Sequence, residues 1–255
     1  MMGKVLSLPR ALLLDYGGVL IESSSQSLAP PVLVRRLFAL TGEALSEEEI
    51  AEDLIRGARE YGRWRDEASH DPSPAELSHE GIWDDFVTVG WPRAAREAVR
   101  RHAASLSYEW TWHEDWAVRP GIPEALEAAR AAGLPLVVVS NALSGAAHRD
   151  ILAAAGLGSM FAAQLYSDEH RLRKPNPELL RRAAQAVGSS VEDCWFVGDT
   201  INRDILCARR AGTGTAILMR STRTSREQAV PGIAPDIVVD DGHGLRDLLS
   251  RLDRP

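Results

Sequence analysis

From Arg119 onward the sequence repeats one pattern, a short apolar run followed by a helix-patterned stretch, several of them closed by glycine. Pro120–Ala132 reads as a helix stopped at Gly133, Leu136–Val139 as a strand, Ser144–Ala155 as a helix stopped at Gly156, and Ala163–Tyr166 as a weaker strand. Pro177–Val187 (helix), Cys194–Val197 (strand), Asp204–Ala211 before Gly212 (helix), Thr215–Leu218 and Ile237–Val239 (strands) and Gly244–Leu252 (helix) continue the series. Strands alternating with helices of this length predict an α/β fold, a parallel sheet covered on both faces. The strands lack polar alternation, as strands buried on both sides do. An earlier run, Leu12-Leu13-Leu14, belongs to the same sheet and ends at Asp15, with Gly17-Gly18 just beyond. A strand that stops at a carboxylate and turns through glycines places that carboxylate at the carboxyl edge of the sheet, where such folds bind ligands. Taken alone, the stretch also reads as a strand end whose Asp caps a turn.

Between these parts the periodicity is helical. Ser23–Pro31 is a polar, proline-containing connector, and Val32–Leu40 reads as a helix. Ser46 and Glu49 form a capping box, and Ile50, Leu54, Ala58 and Tyr61 run as an apolar stripe behind it. Ser73-Pro74-Ala75-Glu76 has the form of another helix start, leading to Leu77, Ile82 and Phe86. Pro92–Ala104 supplies a fourth helix. The expected organisation is a core of residues 1–22 and 116–255 interrupted by an all-helical insert, residues 23–115. Trp64, Trp83, Trp91, Trp110 and Trp112 fall in the insert and Trp116 at its border. Large aromatics fill a small bundle, and the Tyr108–Trp116 cluster at the junction is also a candidate pocket wall.

The net charge of −7 argues against nucleic acid as the main partner. No apolar run reaches the length of a membrane span, and the N-terminal residues lack a signal-peptide pattern. The expectation is a cytoplasmic protein, with its oligomeric state left open. Cys194 and Cys207 form neither a disulfide framework nor a zinc spacing. The basic residues are almost all arginine, and the only lysines are Lys4 and Lys174.

Polar residues stand at the predicted strand ends. The first strand contributes Asp15, the second Ser140 and Asn141, and the Cys194–Val197 strand Asp199. Lys174 lies in Arg173-Lys174-Pro175-Asn176-Pro177, whose prolines keep it out of the neighbouring elements. A carboxylate nucleophile, a hydroxyl donor, a fixed cation and a second carboxylate are the parts needed for phosphoryl transfer through an aspartyl phosphate. Two carboxylates with open positions also suit Mg²⁺.

In this arrangement the chain resembles the haloacid dehalogenase-like (HAD) hydrolase superfamily, in the branch with a helical cap inserted after the first motif. The resemblance rests on Asp15-Tyr16-Gly17-Gly18-Val19-Leu20, on Ser140-Asn141 after Val137–Val139, on Lys174-Pro175, and on Gly198-Asp199-Thr200-Ile201-Asn202-Arg203-Asp204-Ile205 continuing to Ala211-Gly212. It implies a Rossmann-like, doubly wound core with a helical cap, and a Mg²⁺-dependent hydrolase acting on a small phosphorylated metabolite. By position, Asp15 resembles the family's nucleophile, and Ser140 and Asn141 fall where the phosphoryl group is held. Lys174 resembles the cation that neutralises phosphoryl oxygens, while Asp15, the Gly17 carbonyl and Asp199 fall on the metal ligands. Asp204 resembles the acid that fixes a metal-bound water or Lys174. The other reading of Asp204 is an acid meeting a helix dipole.

One departure stands out. The family's phosphatases carry a second Asp two residues after the nucleophile as general acid–base, and this chain has Gly17 there. Three readings follow: a phosphatase for a substrate with a good leaving group, or with a proton donor in the cap; a catalytically silent HAD-fold binding module; or a non-phosphatase member such as a dehalogenase. A phosphonatase would need a cap lysine, and Glu22–Arg119 contains none. His113 and Glu114, beside the Trp-rich junction, are the candidate cap donors, and both also read as ordinary solvated loop residues.

Overall fold

The computed structural model describes residues 8–23, 27–226 and 230–251. The N-terminal reading of residues 1–7, part of the Ser23–Pro31 connector and the end of the final helix at Leu252 lie outside them. In chain order the elements are β1 (Ala11–Leu14), β2 (Ile21–Ser23), α1 (Pro31–Leu40), α2 (Glu47–Ala68), α3 (His79–Ile82, continued by a wider turn over Trp83–Val87) and α4 (Arg93–Thr111). There follow β3 (Trp116–Val118), α5 (Ile122–Ala131), β4 (Leu136–Ser140), α6 (Gly145–Ala154), β5 (Ala163–Tyr166), α7 (Ser167–His170) and α8 (Pro177–Gln185). The chain ends with β6 (Cys194–Gly198), a wide turn Ile201–Ile205 running into α9 (Leu206–Ala211), β7 (Thr215–Met219), β8 (Ile237–Val239) and α10 (Gly242–Ser250).

Six strands form one parallel sheet in the order β5-β4-β1-β6-β7-β8. β1 is central because all four of its residues are buried and apolar, so neither face nor edge can meet water. Leu12 and Leu14 face one core with α5, α6 and α10, where Ile122, Leu126, Ile151 and Leu245 pack. Ala11 and Leu13 face the other core, where Leu179, Leu180, Cys207 and Ala208 cover the sheet from α8 and α9. Each fully buried leucine contributes roughly 1.5–3 kcal/mol. The order reverses direction at β1: β4 and β5 lie on one side, β6 to β8 on the other. The carboxyl ends of β1, β4 and β6 therefore border one crevice.

Helices α1 to α4 hold a third, separate core of Leu33, Leu37, Ile50, Leu54, Trp83, Trp91 and Trp110. The expected capping box is present: the Ser46 side chain accepts from the Glu49 backbone N–H, and Glu49 accepts from the Ser46 N–H. The expected helix start at Ser73 is not. Residues 73–78 are not helical, Ala75 bridges to Leu172, and the helix begins at His79 with Ser78 as its N-cap. Glu76, which would have filled the third position of that helix, instead forms a fully buried ion pair with Arg173 at 2.8 Å and accepts from Ser167 Oγ at 2.6 Å. A capping box yields about a kilocalorie, whereas Arg173 buried without its carboxylate would cost several, so the tertiary pairing wins. The ribbon β2–β3, antiparallel, pairs Ile21 with Val118 where the chain leaves and re-enters the core. Three residues per strand are too few to show a period.

His79 is a further tie between α3 and the core. Its Nε2 lies 3.0 Å from the Leu143 carbonyl and 3.4 Å from Asp168 Oδ2. The Asp168 hydrogen bond raises the His79 pKa, against the opposing effect of burial. Burial would raise Asp168, but His79 and the Gly145 N–H outweigh it and lower its pKa. A raised histidine contributes stability that is complete below its unfolded value of about 6.5 and is lost as pH rises through the folded value. The lowered Asp168 contributes above about 3.8 and loses that contribution as pH falls. We therefore expect the stability difference between the wild type and His79→Gln to be larger near pH ~6 than near pH ~9. Thermal melts at both pH values check it, and a pH-independent difference would exclude a charged His79–Asp168 contact.

Candidate active site

The Asp15 carboxylate follows directly on β1 and is anchored from two sides. Its backbone N–H donates to the Val197 carbonyl, and its Oδ1 accepts from the Tyr16 N–H at 2.8 Å. Lys174 Nζ lies 2.8 Å from Asp15 Oδ1 and 2.7 Å from Asp204 Oδ1, with all three side chains nearly excluded from water. Burial alone would lower the lysine pKa, but the two carboxylates raise it. Asp204 mirrors this: burial pushes it up, and Lys174 with the Thr200 hydroxyl holds it below the usual carboxylate range. Asp204 Oδ2 accepts from the Asp199 and Thr200 N–H groups and, at 2.5 Å, from Thr200 Oγ1. One Asp204 oxygen thus orders the turn before α9, and the other contacts Lys174.

The lysine is placed from behind by Asn141, whose Oδ1 accepts from the Lys174 N–H at 2.7 Å and whose Nδ2 donates to the Lys174 carbonyl at 2.9 Å. Ser140 is buried, and its hydroxyl has only a weak 3.4 Å contact to the Asn141 carbonyl. It remains available to a ligand. Two glycines make this proximity possible. A Cβ on Gly18, which has φ +76°, would overlap the Asp199 carboxylate, and a Cβ on Gly198 would overlap Asp204.

Asp15, Asp199 and Asp204 each offer an oxygen, all within 4.8 Å of one another, and this acidic group can hold a metal ion. Hard oxygen donors of this kind match a divalent cation that prefers oxygen. The structure also brings to these oxygens a residue that the sequence reading missed. Arg223 donates through Nε to Asp199 Oδ2 at 2.8 Å and through Nη2 to Asp199 Oδ1 at 3.0 Å and to the Gly17 carbonyl, and it approaches Asp15 Oδ2 at 3.9 Å. Its loop is fixed by Ser221 Oγ on Asp199 Oδ2 at 2.6 Å and by Thr224 Oγ1 on the Asp199 carbonyl. Burial raises the Asp199 pKa against the lowering effect of Arg223. The signal was available: Arg220–Thr224 directly follows β7, another strand end on the same edge.

A cavity of about 340 Å³ lies between the sheet edge and the helical insert. Asp15, Ser140, Asn141, Lys174, Asp204 and Arg223 contribute from the core, and Tyr61, Arg65, Trp110 and His113 from the insert side. His148 also lines it, stacked on Tyr16 at 3.9 Å. Of the aromatic cluster expected at the junction, Trp110 reaches the cavity, while Trp112 packs on the sheet-side core and stacks with Tyr108.

The family model for haloacid dehalogenase-like hydrolases matches residues 9–212. The chain belongs to that family. A phosphoserine phosphatase from Thermus thermophilus is 28% identical over 250 residues, covering 91% of this chain and 96% of that protein. A glyceraldehyde 3-phosphate phosphatase from Methanopyrus kandleri is 28% identical over 209 residues, 82% of each chain. Among solved structures, a HAD phosphatase from Thermococcus onnurineus superposes with a TM-score of 0.61 at 20% identity, covering 95% of this chain and 99% of that one. The protein is a hydrolase of this family with phosphatase relatives, built on the Rossmann-like α/β sheet. No helix among its described residues is long and apolar enough to cross a membrane.

Lys174→Met is expected to destabilise the protein by about 3–5 kcal/mol, because breaking a buried ion network leaves carboxylates uncompensated. Denaturant melts measure this directly. A loss under about 1 kcal/mol, the range of an exposed pair, would mean that the ammonium is not holding Asp15 and Asp204 together.

Proposed function

We propose that the protein is a Mg²⁺-dependent phosphohydrolase that passes the phosphoryl group of a small phosphorylated metabolite to Asp15 and then to water. The observation that carries this reading is the buried Asp15–Lys174–Asp204 chain that lines the cavity, with Asp199 behind it within 4.8 Å of both carboxylates. Structural ion pairs alone would not need to face a ligand-sized space. In this reading residues 1–22 and 116–255 act as the catalytic core, and residues 23–115 act as the cap that selects the substrate.

A carboxylate oxygen of Asp15 attacks phosphorus in line with the leaving oxygen. Lys174 neutralises a phosphoryl oxygen and also offsets the charge of the two carboxylates it bridges. The Ser140 hydroxyl and the backbone N–H groups around Asn141 hold the remaining oxygens. Asp204 acts through Lys174, and Asn141 fixes the loop that carries it. Asp15, Asp199 and the Gly17 carbonyl would hold the metal ion, which when bound supplies positive charge against the transferring group.

A second reading, the catalytically silent binding module, is favoured by one observation: the Arg223 guanidinium already neutralises the oxygens assigned to the metal. A dehalogenase would have less use for an oxygen-rich metal set. On the phosphohydrolase reading, Arg223 and Mg²⁺ compete. Arg223→Gln should then bind Mg²⁺ at least roughly tenfold more tightly by calorimetric titration, a difference of about 1.4 kcal/mol. Equal affinity in the two proteins would refute the competition. Absence of Mg²⁺ binding in both would favour the silent module.

Asp15→Asn should reduce phosphate release from phosphorylated metabolites to background while leaving the melting temperature within a few degrees. The amide keeps the shape but is a poor nucleophile. Retention of a substantial fraction of the wild-type rate would rule out covalent catalysis through Asp15.

A further inference from the structure

A phosphate ester with an alkyl leaving group needs a proton delivered to the departing oxygen, and Gly17 has no side chain to deliver it. The cavity wall offers few replacements. Burial pushes the Tyr16 and Tyr61 hydroxyls upward, Tyr61 to about 12, so neither exchanges a proton readily near neutral pH. Lys174 and Asp204 are committed to each other. His148 is half-buried between the rings of Tyr16 and Tyr166, and desolvation pushes its pKa down to about 4, which keeps it neutral.

His113 differs from all of these. It lies in the short connection between α4 and β3, where the insert rejoins the core, and it lines the same cavity as Asp15. Its side chain is 21% exposed, and its Nδ1 lies 2.7 Å from Asp115 Oδ1. The Asp115 carboxylate sits beside Nδ1 as a close charge contact and not as an aligned hydrogen bond. His113 is near enough to His148 to depress the latter's pKa, and His148 stacks on Tyr16, the residue next to Asp15. Glu114, the other candidate from the sequence, is exposed and does not reach the cavity wall.

We propose that His113, which lines the cavity with Asp115 beside it, is the general acid–base that stands in for the carboxylate absent at Gly17. The assignment rests on the phosphohydrolase reading and refines it. In the first step an Asp15 oxygen forms a bond to phosphorus, the bond from phosphorus to the leaving oxygen breaks, and protonated His113 gives its Nε2 proton to that oxygen. An alcohol leaves, and the imidazole is neutral. In the second step the neutral Nε2 takes a proton from water as the water oxygen attacks phosphorus. The bond from phosphorus to Asp15 breaks, releasing phosphate, a free Asp15 carboxylate and a reprotonated His113. Asp115 lies beside the imidazole and His148 near it, and the other charged groups lining the same cavity are Asp15, Arg65, Arg173, Lys174, Arg203, Asp204 and Arg223.

The test is His113→Gln, assayed with an alkyl and an aryl phosphate of low leaving-group pKa. A positioned general acid contributes roughly 10²–10⁴ in rate. We expect the alkyl ester's kcat/KM to fall by that factor and the aryl ester's by less than about tenfold, with the ionisation assigned to His113 gone from the pH profile. Asp115→Asn should shift the same ratio in the same direction, by less. Adding Gly17→Asp to His113→Gln should recover the alkyl rate. A Cβ at position 17 meets only the flexible Arg223 guanidinium, at 3.1 Å, and a carboxylate there is of opposite charge. If His113→Gln slows both esters equally, or neither, while Asp15→Asn is inactive, the His113 assignment is overturned and the phosphohydrolase reading stands. If the wild type itself releases phosphate from no ester, both fall.

Discussion

The Lys174 ammonium, buried between the carboxylates of Asp15 and Asp204, is the contact on which the rest of the site depends. Two buried carboxylates a few ångströms apart cannot both stay ionised without a cation, because burial and mutual repulsion both favour protonation. The fold supplies that cation from a loop rather than from a strand. Asn141 grips the lysine's backbone from both sides, and Arg173, next in sequence, is locked to Glu76 of the insert. The position of Lys174 is thus tied both to the end of β4 and to the helical unit above it. The insert is joined to the site through buried charge and does more than roof the cavity.

Much of this was legible in the sequence, for a physical reason. A parallel sheet buried on both faces leaves an unbroken apolar run, so Leu12–Leu14, Leu136–Val139 and Cys194–Val197 could be read as strands. Their carboxyl ends must share an edge, so Asp15, Ser140, Asn141 and Asp199 could be placed together before any coordinates. Ser46 and Glu49 were readable because a capping box is a local device. The unreadable parts depended on distant partners. Ser73–Glu76 has the local grammar of a helix start, but Glu76 is drawn away by Arg173, nearly a hundred residues on. Arg223 stands after a strand end, which is a readable signal, but its pairing appears only when the loop after β7 folds over Asp199.

Arg223 gives the site two electrostatic states to choose between. The oxygens of Asp15, Asp199 and Gly17 can be neutralised by a guanidinium from the chain or by a divalent ion from solution, but not by both in one place. The cost of leaving these buried acids unneutralised is several kilocalories per ion, so a protein lacking such a residue would have to tolerate their repulsion whenever the metal is away. Gly17 belongs to the same arrangement. Its missing side chain leaves room for the guanidinium and at the same time leaves no carboxylate two residues after Asp15, the gap that the proposed role of His113 answers.

The central claim is that Asp15 itself carries the phosphoryl group. Rapid quenching of wild-type protein with a phosphorus-labelled ester in the presence of Mg²⁺, followed by peptide mapping, tests it most directly. The account predicts acid-stable, alkali-labile label confined to the peptide containing Asp15, formed no more slowly than product is released. Turnover with no label on that peptide, or with label on a different residue, would contradict it.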